Sequence, residues 1–268
     1  MTEQSKKTEF VIAHLTDLHP DGGVAFAHGV ALARDARAQL VSFNAGDGAQ
    51  ARPMPNTGLL LESWGGAADS VPHTAVAHTC CEDPVDTILD GLRPMEPELI
   101  VAGTHQWSGF SRAIHESVSE SVAVQGLAPT LVLPIGEPGF VDQDTGEVEL
   151  DKILIPVGDD QETAAAVNSL TVLLERLGIE DIDLYLLRVG GDEVPESLLT
   201  PEGPGWRWHR ETRSGKPVDG IVAACEELDC DLVVMASRGQ DGFLDIIRGT
   251  QTQQVMRKIA AGLLIIPV

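Results

Sequence analysis

The sequence predicts an α/β protein of two tandem, doubly wound domains, each built on a five-stranded parallel sheet. A length of 268 residues favours two ordinary domains over one large domain. Apolar segments such as 153–157 and 232–236 are short and continuous, as in parallel strands buried on both faces. Segments of the first half also recur in the second half, which is the pattern of an internal repeat.

Three segments carry the repeat at one offset of 133 residues, so that Pro84 corresponds to Pro217. The triplet Pro-Val-Asp at 84 recurs at 217, and the apolar segments at 98–103 and 128–135 recur at 231–236 and 261–268. The opening strands correspond at a slightly larger offset. Each half therefore has the same order of elements.

Strands and helices alternate in each predicted half. In the first half, strands are expected near 10–15, 39–44, 74–79, 98–103 and 130–135, and helices near 22–37, 83–93 and 117–127. In the second half, strands are expected near 152–157, 182–188, 206–212, 231–236 and 263–267, and helices near 161–177, 217–229 and 250–260. Residues 46–72 are rich in Gly, Pro and Ala and are predicted to be a loop insertion.

The predicted domains are residues 8–136 and 151–268, with a linker at 137–150. The linker holds the turn signal Asp144-Thr145-Gly146 between the apolar pairs Phe140/Val141 and Val148/Leu150. This pattern favours a short hairpin, with a disordered acidic tether as the alternative.

Composition limits the function classes. A formal net charge of −23 disfavours nucleic acids and anionic membranes as partners. The apolar segments are too short to span a membrane, and the first nine residues do not resemble a secretory signal. The four cysteines form no CxxC pair and are expected to be reduced thiols. A cytoplasmic, acidic protein is the expectation.

The turn after the fourth strand of the second half has features of an anion site. The segment from Ala236 to Gly239 is followed, after nine further residues, by Gly249 and Thr250. Thr250 and Gln253 form a capping box, so a helix N-terminus meets a glycine-bearing turn and Arg238. Ligands of doubly wound sheets bind beyond the carboxyl ends of the strands, where this turn is expected to lie. A purely structural turn with a helix cap is the alternative.

With this spacing, the sequence resembles the universal stress protein family. The nucleotide signature of that family is Gly, two residues, Gly, nine residues, Gly, then Ser or Thr. Gly239, Gly249 and Thr250 match it, whereas Ala236 stands at the first glycine. The resemblance spans nearly the whole chain. It implies an adenine nucleotide alpha hydrolase-like fold.

The resemblance also implies a binding site for ATP or AMP in the C-terminal domain, with no metal. Its phosphate contacts would come from Gly239, Gly249 and Thr250, with Ser237 and Arg238 nearby.

The loop after the first strand departs from the family pattern. ATP-binding members carry an aspartate there, and Gly158 stands at that position here. Asp159 would serve if the loop shifted by one residue, and otherwise it caps the following helix. The first half keeps Asp17 in this loop but has Gln106 and Glu116 in place of two glycines. A structural role without ligand is expected for the first half.

The remaining groups of His, Cys and aromatic residues do not indicate a metal site or a catalytic site. His73 and His78 are expected on opposite faces of a strand. Cys225 and Cys230 would lie about 140° apart on a helix. The segment 206–210, Trp-Arg-Trp-His-Arg, is predicted to be an interface or pocket-rim strand rather than a nucleic-acid surface, given the negative charge.

Family members commonly pair through their last strands, so 131–135 and 263–267 are expected to pair within this chain as an internal pseudo-dimer, which can associate further into a homodimer. The function implied is a non-catalytic sensor or regulator that binds an adenine nucleotide. The alternatives are an interaction or scaffold module for an unknown protein partner that has lost the nucleotide, and a slow ATPase.

Overall fold

The structure is a computed structural model that describes residues 10–46, 53–79, 84–105, 118–237 and 251–268. Within these ranges the chain forms ten strands and seven α-helices. The strands are β1 (Val11–Leu15), β2 (Gln39–Gly46), β3 (His73–Thr79), β4 (Leu99–Thr104), β5 (Thr130–Pro134), β6 (Lys152–Pro156), β7 (Asp183–Val189), β8 (Arg207–Arg213), β9 (Leu232–Ser237) and β10 (Gly262–Pro267). The helices are α1 (Gly23–Ala36), α2 (Thr57–Ser63), α3 (Pro84–Leu92), α4 (Val118–Gln125), α5 (Asp160–Leu177), α6 (Pro217–Leu228) and α7 (Gln251–Met256).

All ten strands lie in one sheet, in the order β3-β2-β1-β4-β5-β10-β9-β6-β7-β8. Neighbours within each half are parallel, and the halves meet where β5 and β10 pair antiparallel, with Leu131 opposite Leu264. The order of one half is thus the mirror of the other about the β5–β10 seam. The predicted fold class and internal pseudo-dimer are confirmed.

Helices cover both faces of the sheet. On one face α1 and α5 pack with the linker into the largest apolar cluster. On the other face α6 and α7 cover the second half, and α3 and α4 cover the first half. None of the described helices is long and apolar enough to cross a membrane.

The predicted loop at 46–72 was wrong in part, because it contains α2. Asn56 caps this helix, since its Oδ1 accepts from the Leu59 amide at 3.2 Å, and Leu61 is buried against the core. The second half has no helix at the corresponding connection, so the repeat gave no signal for it. The last predicted helix was also too long, since α7 ends at Met256 rather than near 260.

The linker packs as a hairpin on α1. Val141 and Val148 form an antiparallel bridge, and the Gly146 amide donates to the Asp142 carbonyl at 2.8 Å. Phe140 is buried, and its amide donates to Nε2 of His28 at 3.0 Å. The domain boundaries 8–136, 137–150 and 151–268 stay a prediction.

Cys225 and Cys230 form a disulfide with a Cα–Cα distance of 5.1 Å, so the expectation of reduced thiols was wrong for this pair. The projection of 140° assumed a continuing helix, whereas α6 ends at Leu228 and Asp229 has a left-handed φ of 53°. The Cys230 amide then donates to the Cys225 carbonyl at 3.0 Å. This helix ending brings the two side chains together. Cys80 and Cys81 lie outside the described residues.

The tryptophans of the 206–210 segment pack against the core, and neither lines the pocket of the second half. Trp206 Nε1 donates to the Ile179 carbonyl at 2.9 Å, and Trp208 Nε1 donates to the Pro201 carbonyl at 2.8 Å. They hold the connections around the edge strand β8. The predicted role of this segment as an interface or pocket-rim strand stays a prediction.

Candidate functional site

A pocket of about 320 Å³ opens at the carboxyl ends of β6, β7 and β9. The starts of α5 and α6 and the helix α7 complete its walls. Its apolar lining consists of Pro156, Val157, Leu187, Val189, Pro217, Ile221, Met235 and Ala236. An apolar cleft at this edge of a doubly wound sheet suits a flat, largely apolar group such as a nucleobase.

The α5 N-terminus forms one wall of the pocket, and Asp159 is its N-cap. Asp159 Oδ1 accepts from the amides of Gln161 at 2.9 Å and Glu162 at 3.1 Å. The hydroxyl of Thr163 donates to the Asp159 carbonyl at 2.8 Å. Asp159 lines the pocket, but one of its carboxylate oxygens already serves the helix. Its role toward a ligand stays a prediction.

Gly158 lies in the pocket wall with free space beside it. A Cβ on Gly158 would meet no heavy atom within 4 Å. Arg188 holds this loop, because its Nη2 lies 3.3 Å from the Gly158 carbonyl and 2.7 Å from Oδ1 of Asp160. Glycine at 158 is therefore not required by packing, and a larger side chain would point into open space.

The described lining is acidic. It contains the carboxylates of Asp159 and Glu162 and the polar side chains of Thr163, Gln251 and Thr252, with no Lys, Arg or His among the described lining residues. Arg188 directs its guanidinium to Asp160 and the Gly158 carbonyl. A phosphate in this pocket would need a cation from outside the described lining.

The structure places some of the predicted site residues. Ser237 ends β9 opposite Pro267 and directly follows Ala236, which lines the pocket. Arg238, Gly239, Gly249 and Thr250 lie outside the described residues, and their contacts stay predictions. Gln251 and Thr252, which follow Thr250, both line the pocket, so the predicted phosphate segment leads directly into its wall.

The corresponding edge of the first half has different chemistry. The registers of β1 and β6 align Asp17 with Gly158. Asp17 Oδ1 accepts from the His19 amide at 2.8 Å, and its Oδ2 lies 3.9 Å from Nε2 of His105. Sequence reasoning missed this His–Asp group, although His105 matches Arg238 at the repeat offset. In the part of the chain that the structure describes, no three His, Cys, Asp or Glu side chains are placed to hold one metal ion.

The fold and this pocket define the class: a tandem α/β protein whose two doubly wound halves share one sheet through their last strands. The sequence model of the universal stress protein family matches residues 198–267. This match lies within the second half of the chain.

Solved structures agree on the fold over the full length. A universal stress protein from Archaeoglobus fulgidus matches with a TM-score of 0.68 at 16% identity, and the match covers 96% of each chain. A functionally unknown protein from Pseudomonas aeruginosa matches with a TM-score of 0.62 at 12% identity, over 97% of this chain and 92% of that chain. At these identities the likeness shows a shared fold. No protein with a curated description matches the sequence.

Proposed function

We propose that this protein is a non-catalytic, cytoplasmic sensor or regulator that binds an adenine nucleotide, ATP or AMP, in its C-terminal half. The observation that carries the proposal is the pocket at the carboxyl ends of β6 and β9. Its walls are apolar where a base would lie, and they meet the N-terminus of α5 and the segment entering α7. Helix N-termini favour anions, and of the predicted phosphate residues Gly239, Gly249 and Thr250, the last two immediately precede α7.

An interaction module without nucleotide is the second candidate, and the acidic lining favours it. Asp159 and Glu162 both face the pocket, and repulsion between a carboxylate and a phosphate rises in a partly dehydrated site. Gly158 and Ala236 also replace residues of the family pattern. This candidate predicts an intact fold whose pocket takes no phosphate.

Isothermal titration calorimetry of the full chain with ATP, AMP, adenosine and cyclic nucleotides tests the proposal. We expect saturable binding to the unmodified chain. Ala236→Leu should abolish it by filling the pocket, and Gly249→Asp should weaken AMP and ATP more than adenosine by adding a carboxylate to the phosphate segment. Gly23→Asp, which adds a charge to the first half where a Cβ meets nothing within 4 Å, is the matched control.

Absence of heat at millimolar ligand would exclude nucleotide binding and leave the interaction module. Equal binding by the Ala236→Leu variant would place any nucleotide outside this pocket. Phosphate release that scales with protein concentration would support the slow ATPase instead.

A further inference from the structure

A second concavity, an open groove of about 340 Å³, lies on the face of the sheet that carries α1 and α5. It runs between α5 and the β5–β10 seam. Its apolar lining includes Phe10, Leu99, Val172, Leu173, Leu264 and Ile266. Val172 lies at its rim and is 58% exposed. The lining of the groove shares no residue with that of the proposed nucleotide pocket, although Ile266 of the groove pairs with Ala236 of the pocket.

The internal symmetry gives this groove a twin in the first half. In both halves the helix after the first strand ends in the same way, since the amide of Ala38 donates to the Ala33 carbonyl and that of Ile179 to the Leu174 carbonyl. When α1 and α5 are aligned by this shared ending, Ser169 of α5 corresponds to His28 of α1. The register of β5 against β4 matches that of β10 against β9, so β5 and β10 also correspond residue by residue. The groove residues Leu173, Leu264 and Ile266 thus correspond to Leu32, Leu131 and Leu133.

The twin is occupied by the linker. Phe140 is 3% exposed, its ring lies edge-on to the His28 ring at 4.7 Å, and it lines a small apolar cavity with Leu32 and Leu131. Gly139 passes so close to His28 and Leu133 that a Cβ would lie 2.5 Å from the His28 ring. The surface that buries an aromatic residue of an extended segment in the first half is therefore repeated in the second half, where none of the residues that the structure describes covers it in this way.

The chemistry of the groove defines its occupant. Its floor is apolar, and the Arg176 guanidinium lies 5.2 Å above the Phe10 ring. Glu98 also lines the groove. Residues 1–9, MTEQSKKTE, contain no aromatic side chain that could take the place of Phe140. The net charge of −23 favours a segment with neutral or basic flanks.

We propose that this groove binds an extended segment of a partner protein, which inserts an aromatic side chain between α5 and the β5–β10 seam as Phe140 does at the twin. The segment carries neutral or basic residues around its aromatic anchor. Such a buried aromatic residue supplies most of the binding energy in interfaces of this kind.

The probe is a fluorescent synthetic peptide of residues 139–150 whose acidic residues are changed: Asp142→Asn, Asp144→Asn, Glu147→Lys and Glu149→Lys. Fluorescence anisotropy with the full chain should show saturable binding with a dissociation constant below about 1 mM. Phe140→Ala in the peptide should weaken binding about tenfold or more, because the anchor is lost.

Val172→Asp in the protein tests the location. Val172 is exposed, so the substitution leaves the fold intact, and the charge should weaken binding about tenfold or more. The matched control is Leu59→Asp on α2, a side chain that is 67% exposed, and it should leave binding unchanged. No saturable binding at 1 mM protein, or equal binding by the Val172→Asp variant, would overturn the proposal.

Discussion

Arg257 and Glu120 join the two halves through an ion pair, with Nη2 of Arg257 lying 2.8 Å from Oε2 of Glu120. Their side chains are 18% and 11% exposed. Glu120 lies in the first turn of α4 and Arg257 directly follows α7, so each charge suits the dipole of its helix. At the repeat offset, Glu120 corresponds in sequence to Gln253, and Arg257 corresponds to Val124. This contact therefore belongs to the tandem chain and breaks its symmetry.

We expect Arg257→Met to lower the free energy of unfolding by about 3 kcal/mol, because it leaves the Glu120 carboxylate without its partner in a largely buried site. Adding Glu120→Met should recover much of the loss, since the uncompensated charge is then removed. Chemical denaturation monitored by circular dichroism measures both.

The adjacent pair of Lys258 and Asp219 is the matched control, because its side chains are 49% and 62% exposed. Lys258→Met should change stability little, since exposed ion pairs are screened by water. Equal losses for the Arg257 and Lys258 variants, or no recovery in the double variant, would contradict the importance of the buried pair.

His28 should make the fold sensitive to acid. Burial lowers the pKa of His28 to about 4. Its Nε2 accepts from the Phe140 amide, so Nδ1 carries the proton that is donated to the Val24 carbonyl at 2.8 Å. Because the folded pKa lies below the unfolded value of 6.5, the stabilisation is complete above pH 6.5 and is lost as the pH falls toward 4. The full loss is about 3 kcal/mol.

The free energy of unfolding at several pH values between 7 and 4 measures this effect. In the His28→Gln variant the amide side chain can make both hydrogen bonds without titrating. The free energy of unfolding of this variant should therefore fall less as the pH is lowered. Burial also lowers the pKa of His14 to about 3. Because His14 is present in both proteins, it contributes equally to the pH dependence of their free energies of unfolding and does not affect the difference between them. Parallel curves for the two proteins would show that His28 does not carry the effect.

Gly158→Asp should strengthen adenosine binding. The family resemblance puts a nucleoside-binding aspartate at this position, and the space beside Gly158 is open. One added hydrogen bond corresponds to about a tenfold lower dissociation constant. Adenosine is the proper ligand, because the added charge opposes phosphates. Calorimetry measures the change, and an unaltered or weaker affinity would argue against a nucleoside at this wall.

Reduction of the Cys225–Cys230 disulfide should lower stability by roughly 2 kcal/mol, since it frees a short loop in the unfolded chain. Thermal unfolding with and without a phosphine reductant should differ by a few degrees. The double variant Cys225→Ala with Cys230→Ala should not respond to the reductant. A non-reduced proteolytic digest in which the two cysteines are found as free thiols would rule the disulfide out.

Local patterns were enough to predict most of the fold. The predicted bounds of every strand agree with the structure to within about two residues. The central strands are continuous apolar segments, because burial on both faces leaves a strong composition signal. The family resemblance, in which members pair through their last strands, predicted the pairing of β5 with β10. The helix α2 escaped prediction because it occurs in one half alone, in a segment rich in Gly, Pro and Ala.

The candidate site was only partly predictable. The pocket edge followed from the topology rule for doubly wound sheets, and the family resemblance drew attention to Gly158. The capping role of Asp159 was open from sequence, and the structure shows that one of its oxygens accepts two amides of α5. The group formed by Asp17, His19 and His105 went unnoticed, because its members are brought together from the ends of separate strands.

The sequence by itself determined the two halves, their strands, their order and the segment where a ligand is expected, because these depend on local periodicity and on the repeat. The tertiary structure decided which of two equivalent surfaces the linker covers and how Arg257 contacts Glu120. It also decided where α6 ends, which allows Cys225 and Cys230 to form a disulfide. Those outcomes depend on side chains that are distant in sequence and meet only when the sheet is assembled, so no local pattern encodes them.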